Sequence, residues 1–158
     1  MPTPTYTLID SVTLGSSASS VTFSGISATG KGDLVLVCDF VCSTGNRING
    51  NLNGDYASNY SGVSMDNDGG TTVSDLRTGA YFYAAAGRTT QANTIIQLMN
   101  YASTTQNKTI LNRLNATDFT SARANRWASN AAVTSIALST TSGTFSSGTF
   151  HLYQLVSE

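Results

Sequence analysis

Proton transfer in this chain would have to pass through one imidazole, because His151 is the sole histidine among 158 residues. It alternates with Phe150 and Leu152, the setting of a half-exposed sheet residue. A Ser-His-Asp or Cys-His system needs that imidazole, and no serine sits in a nucleophile-elbow sequence. Eight aspartates leave room for a carboxylate pair, but Asp66 and Asp68 lie in the glycine-rich stretch Ser64-Met65-Asp66-Asn67-Asp68-Gly69-Gly70, where acids ordinarily shape the backbone. Aligned to a calcium loop, Asp66 and Asp68 take the third and fifth positions, Gly69 the sharp turn and Asp75 the terminal ligand. The fit is partial: serine replaces the first acid, aspartate replaces the bidentate glutamate, and no flanking helix is expected. The segment therefore reads as a solvated turn, and the chain as a non-enzyme with neither catalytic residues, metal nor cofactor.

Sugar recognition would use stacked aromatics beside amides and carboxylates. Trp127, flanked by Arg123 and Arg126, and the stretch Asp55-Tyr56-Ala57-Ser58-Asn59-Tyr60 are the places for it. A lone tryptophan is more often a core plug or an interface anchor than a sugar platform. Cys38 and Cys42 are the only cysteines. On one strand their Cα atoms stand about 13 Å apart at ~3.3 Å per residue, beyond the ~7 Å limit of a disulfide. Two buried thiols are expected.

These residues need a framework, and composition chooses it. Serine, threonine, asparagine and glycine make up 71 residues, 45% of the chain, whereas glutamate occurs only at Glu158 and lysine only at Lys31 and Lys108. Straight-chain helix formers are scarce and β-branched residues abundant, so the chain reads as all-β. Charged residues are 11% of the total, and the formal net charge is −1. Six scattered arginines and two lysines, matched by nine acids, form no basic face, which argues against nucleic acid as a partner. No apolar run is long enough to span a membrane, and residues 1–4 resemble no signal peptide.

Period-two alternation marks strands at residues 6–10 and 11–14, with Tyr6, Leu8, Val12 and Leu14 on one face, and again at 21–23. Residues 33–42 are apolar on both faces and read as a central strand. Residues 43–77 are rich in Asn, Gly, Asp and Ser; short hairpins are expected near 56–65 and 71–76. Further strands are expected at 81–83, 93–101, 108–114, 133–139 and 149–156, with a single helical turn at 84–88. The prediction is one domain, residues 6–158, an antiparallel β-sandwich of jelly-roll type with eight or nine strands, preceded by an arm at residues 1–5.

Several segments carry a family likeness. Leu8-Ile9-Asp10-Ser11-Val12-Thr13-Leu14, Val21-Thr22-Phe23-Ser24-Gly25-Ile26 and Gly32-Asp33-Leu34-Val35-Leu36-Val37 form its first part. Trp127, Val133-Thr134-Ser135-Ile136-Ala137-Leu138, Phe145, Gly148 and Thr149-Phe150-His151-Leu152-Tyr153 form its last, with Asn59-Tyr60-Ser61 and Asn100-Tyr101-Ala102 between. Together they resemble small jelly-roll virion proteins of tailed bacteriophages, of the capsid decoration or cement and tail-fibre-domain types. The resemblance implies a module on the capsid surface, made in the host cytoplasm, that binds the major capsid protein and itself, commonly as a homotrimer. A pattern that begins almost at Met1 suits the free-standing cement type. An arm carrying Pro2, Thr3 and Pro4 is expected to add a strand to a capsid edge, and Trp127 is the other candidate contact. The alternative is a tail- or head-surface module that recognises host glycans.

Overall fold

The computed structural model describes residues 5–155, in which twelve strands and no helix are found. They are β1 (Tyr6–Thr13), β2 (Ser20–Phe23), β3 (Asp33–Cys42), β4 (Asn46–Leu52), β5 (Tyr60–Asp68), β6 (Thr71–Gly79), β7 (Phe82–Gly87), β8 (Ala92–Met99), β9 (Lys108–Ala116), β10 (Phe119–Trp127), β11 (Ile136–Thr140) and β12 (Phe145–Leu155). All pairings are antiparallel. One sheet has eight strands in the order β1-β12-β3-β8-β9-β10-β5-β6, and the other has four in the order β2-β11-β4-β7. The chain crosses repeatedly from one sheet to the other, closing the β-sandwich expected from the spacing of strands and turns.

The core fills the space between the sheets. Leu34, Leu36, Cys38 and Phe40 of β3, with Phe150 and Leu152 of β12, face Ile48 and Leu52 of β4, Phe82 of β7 and Leu138 of β11, all nearly fully buried. Phe40, Phe145 and Phe150 form an aromatic cluster with centroids 5.3–6.2 Å apart. Phe82 lies so close over Gly50 that any side chain there would strike the ring. Both cysteines are free and buried on β3.

Twelve strands replace the eight or nine expected, for identifiable reasons. Residues 43–77 hold three full strands, β4 to β6, instead of two short hairpins; Gly69 and Gly70, both at positive φ, turn β5 into β6. Residues 84–87 belong to β7, with Arg88 just beyond it, and form no helical turn, because Ala84 to Ala86 are small enough to pack in the sandwich interior. Strand β10 escaped notice because its inward positions are Phe119, Ser121, Arg123, Asn125 and Trp127, a mixture with no apolar period. The shared face expected for Tyr6, Leu8, Val12 and Leu14 is also corrected. A bulge between Leu8 and Asp10 shifts the register, so Tyr6 and Leu8 point to solvent while Val12 and Leu14 pack on the core.

The sheets are unequal, and polar groups fill the mismatch. A bulge in β7 leaves Ala84 without a partner on β4. Asn112 of β9 reaches across, its Nδ2 donating to the carbonyls of Tyr83 (3.0 Å) and Ala84 (2.6 Å), and Asn125 Nδ2 donates in turn to Asn112 Oδ1 at 2.9 Å. Buried Lys108 similarly ties down its loop, donating to the carbonyls of Ser103 and Gln106 at 2.7 and 2.9 Å.

Candidate functional site

Alternation decides what the eight-stranded sheet shows to solvent. Along β3, even-numbered residues enter the core, leaving Val35 and Val37 outside; β8 leaves Ile95 and Gln97, and β9 leaves Leu111 and Arg113. Strand register then lines these residues up. One row runs Leu8, Tyr153, Val35, Gln97, Leu111, Ala124, Val63, Leu76, one residue from every strand of the sheet. The adjacent row runs Ser11, His151, Val37, Ile95, Arg113, Ala122, Met65, Ser74. The next is wholly polar: Thr13, Thr149, Asp39, Asn93, Asn115, Thr120, Asn67, Thr72.

The first two rows form an apolar band with a sharp polar rim. Small Ala122 and Ala124 lower its floor on β10 between the bulkier Leu111 and the pair Val63 and Met65, and the groove has a volume of about 920 Å³. Leu76 is 74% exposed, Met65 62%, Val63 51% and Ile95 44%. With strands ~4.8 Å apart and rows ~6.8 Å apart, the band covers roughly 500 Å², within the ~300–600 Å² of the largest, often functional, apolar patch on a monomer. Adding the rim row brings it to about 750 Å², close to the ~800 Å² each partner contributes to a standard interface. Arg113 is the one formal charge within the two rows, so most of the band can be desolvated without stripping an ion.

The sequence candidates lie elsewhere or play other parts. Trp127 is 2% exposed; it stacks on Tyr60 at 6.3 Å, and its Nε1 donates to Asp55 Oδ2 at 2.6 Å. It is a core plug, which corrects the expectation of a contact residue. Its neighbours diverge by alternation, Arg123 inward and Arg126 outward. Tyr60 is buried as well, its hydroxyl accepting from Leu52 N at 2.9 Å, and burial pushes its pKa up to about 12. Pro2, Thr3 and Pro4 lie outside the described residues. The three acids of the calcium-like segment are each spent on an arginine: Asp66 on Arg123 (2.9 Å), Asp68 on Arg88 (3.3 Å) and Asp75 on Arg77 (2.5 Å). Among the described residues no group of three or more His, Cys, Asp or Glu side chains is placed to hold a metal ion. His151 sits in the second row of the band, tilted against Tyr153 at 6.2 Å.

The band itself was missed, although the sequence carries a signal for it. Leu34 to Val37, Ile95 to Leu98 and Ile110 to Leu111 are apolar on both strand faces. In a sandwich of only two layers, one of those faces has no protein to cover it.

No family model matches this chain, and no curated protein does. Among solved structures it is similar to the exo-inulinase of Aspergillus awamori (15% identity, TM-score 0.41, 95% of this chain and 29% of that one). It is also similar to a sucrose-6-phosphate hydrolase of Lactobacillus gasseri (11%, 0.42, 89% and 29%) and to the Caenorhabditis elegans galectin LEC-6 (11%, 0.40, 92% and 96%). This chain thus spans less than a third of either hydrolase. At TM-scores near 0.4 none of these likenesses extends to a function.

Proposed function

We propose that this protein is a structural virion protein of the capsid decoration or cement type, which binds the outside of a phage head and bridges capsid subunits. The observation that carries the adhesive part of this reading is the two-row apolar band, left open across all eight strands and edged by a row of hydroxyls and amides. The phage setting comes from the strand sequences shared in pattern with small virion sandwiches. The band is the surface that adheres to the major capsid protein, and the hydroxyl- and amide-rich remainder keeps the exterior soluble with little dependence on salt. A homotrimer would engage several capsid subunits together, and avidity then exceeds a single contact by about 10² to 10⁴. Catalysis has no part in this reading.

The alternative, a glycan-recognising module acting through Trp127 or the segment 55–77, loses Trp127 to the core. The test is to compare virions with and without this protein. Particles lacking it are expected to release their genome at lower temperature and to survive osmotic shock less well. Equal heat and osmotic resistance would overturn the proposal.

A further inference from the structure

The other side of the β5–β6 hairpin holds a second feature, separate from the apolar band. Strand β6 projects past the cover of the smaller sheet, and the inner face of this overhang is polar: Gly62 and Ser64 on β5, Asp75 and Arg77 on β6, Arg123 and Asn125 on β10. The edge of the smaller sheet brings Arg47 and Tyr83 against it. The guanidinium carbons of Arg123, Arg47 and Arg77 lie 3.7, 5.0 and 5.3 Å from the centroid of the Tyr83 ring.

Charge in this crook is unbalanced. Asp66 and Asp75 pair with Arg123 and Arg77, but among the described residues no carboxylate lies within ion-pair distance of Arg47. Arg77 Nε, on the cavity wall, is buried without a hydrogen-bond partner. A cavity of about 400 Å³, within the size range of small-ligand sites, opens between Arg47, Asn49, Arg77, Tyr81 and Tyr83, with Asp75, already paired to Arg77, also on its wall. At its rim Tyr81 is 42% exposed and meets the 63% exposed Tyr56 edge to face at 5.8 Å.

We infer that this crook binds an acidic sugar, its carboxylate held by Arg47 and its ring against Tyr81. The planar Arg47 guanidinium, which no carboxylate of the described residues pairs with, matches a carboxylate in geometry and charge. The Asn49 amide and the tyrosine hydroxyls suit sugar hydroxyls, and an exposed tyrosine face suits the apolar face of the ring. Because Gly62 and Arg77 face away from Val63 and Leu76, the crook and the apolar band lie on opposite sides of the sheet, and this inference stands or falls independently of the cement reading.

Titration calorimetry on the full chain tests it, with a tetrasaccharide of galacturonic acid and the same tetrasaccharide with its carboxyls reduced. The uronate is expected to bind, more weakly as salt rises, and the reduced compound is not. Arg47→Ala should weaken binding about tenfold or more, with the unfolding midpoint unchanged because the Arg47 side chain is exposed. Tyr81→Ala should weaken the uronate but leave acetate, a carboxylate without a ring, unaffected. No binding of the uronate, equal binding of the reduced tetrasaccharide, or an undiminished Arg47→Ala variant would each overturn the proposal. Acetate or inorganic sulfate binding as tightly as the uronate would do the same.

Discussion

Replacing Met65, Ile95 and Leu111 together by threonine strips the centre of the apolar band while leaving the core intact. The three are 62%, 44% and 40% exposed in the free chain, so a partner that covered them would bury the equivalent of about one and a half side chains at ~2 kcal/mol each. Threonine keeps one methyl, which brings the expected loss of binding free energy to about 2 kcal/mol, or roughly 30-fold in Kd for a single contact. Threonine is also a good strand residue, and its hydroxyl stays hydrated on an open face, so the free protein should melt within about 0.5 kcal/mol of the parent. The assay is co-sedimentation of the purified variant with capsids that lack this protein, beside a thermal melt of the variant alone. A folded triple variant that binds capsids within about threefold of the parent would show that the band is not the adhesive surface.

Other expectations concern the interior. Asn112→Ala removes the donor to two carbonyls at the β7 bulge and the acceptor for Asn125; urea unfolding should register a loss of about 2–3 kcal/mol, and a change under 0.5 kcal/mol would mean that water replaces the amide. Trp127 is the sole tryptophan and is buried, so native fluorescence should be blue-shifted and move red on unfolding, while Trp127→Phe should destabilise without altering uronate binding. The Asp55 carboxyl is held below the usual range by hydrogen bonds from Asn59, then Trp127 and the Ala57 amide. A carboxyl depressed on folding adds stability that is complete above its unfolded value near 4 and is lost as pH falls through its folded value. Asp55→Asn should therefore flatten the acid limb of the stability profile below about pH 4, and an unchanged limb would assign acid unfolding to other groups. Cys38 and Cys42 are buried, and burial raises both thiols; neither should react with a thiol reagent until the protein unfolds, as a stopped-flow chase would show.

Legibility in the sequence followed burial chemistry. Strands β3 and β12 were legible because their inward positions are apolar, and β8 and β9 because Ile96, Leu98, Ile110 and Leu114 keep a period of two despite the buried Thr94, Lys108 and Asn112. Strand β10 was not, because it lies under the overhang, where Ser121, Arg123 and Asn125 replace core residues and no hydrophobic period remains. Trp127 illustrates the same limit. Its type admits an interface anchor or a core plug, and only the placement of Tyr60 and Asp55 around it selects the latter. The calcium-like spacing of Asp66, Asp68 and Asp75 was visible, but the arginines that neutralise them come from β6, from β10 and from the residue just after β7, and no local motif announces them.

Composition by itself determined the all-β class, since a chain with one glutamate, two lysines and abundant β-branched and hydroxyl side chains can satisfy its backbone in sheets and has little with which to build helices, and the spacing of its strands pointed to a sandwich. Tertiary structure decided which of the two apolar faces of the central strands would be covered. A small sheet of four strands can roof only one side of a sheet of eight, so Val37, Ile95 and Leu111 remain in solvent while Leu36, Ile96 and Ile110, their immediate neighbours in sequence, become core.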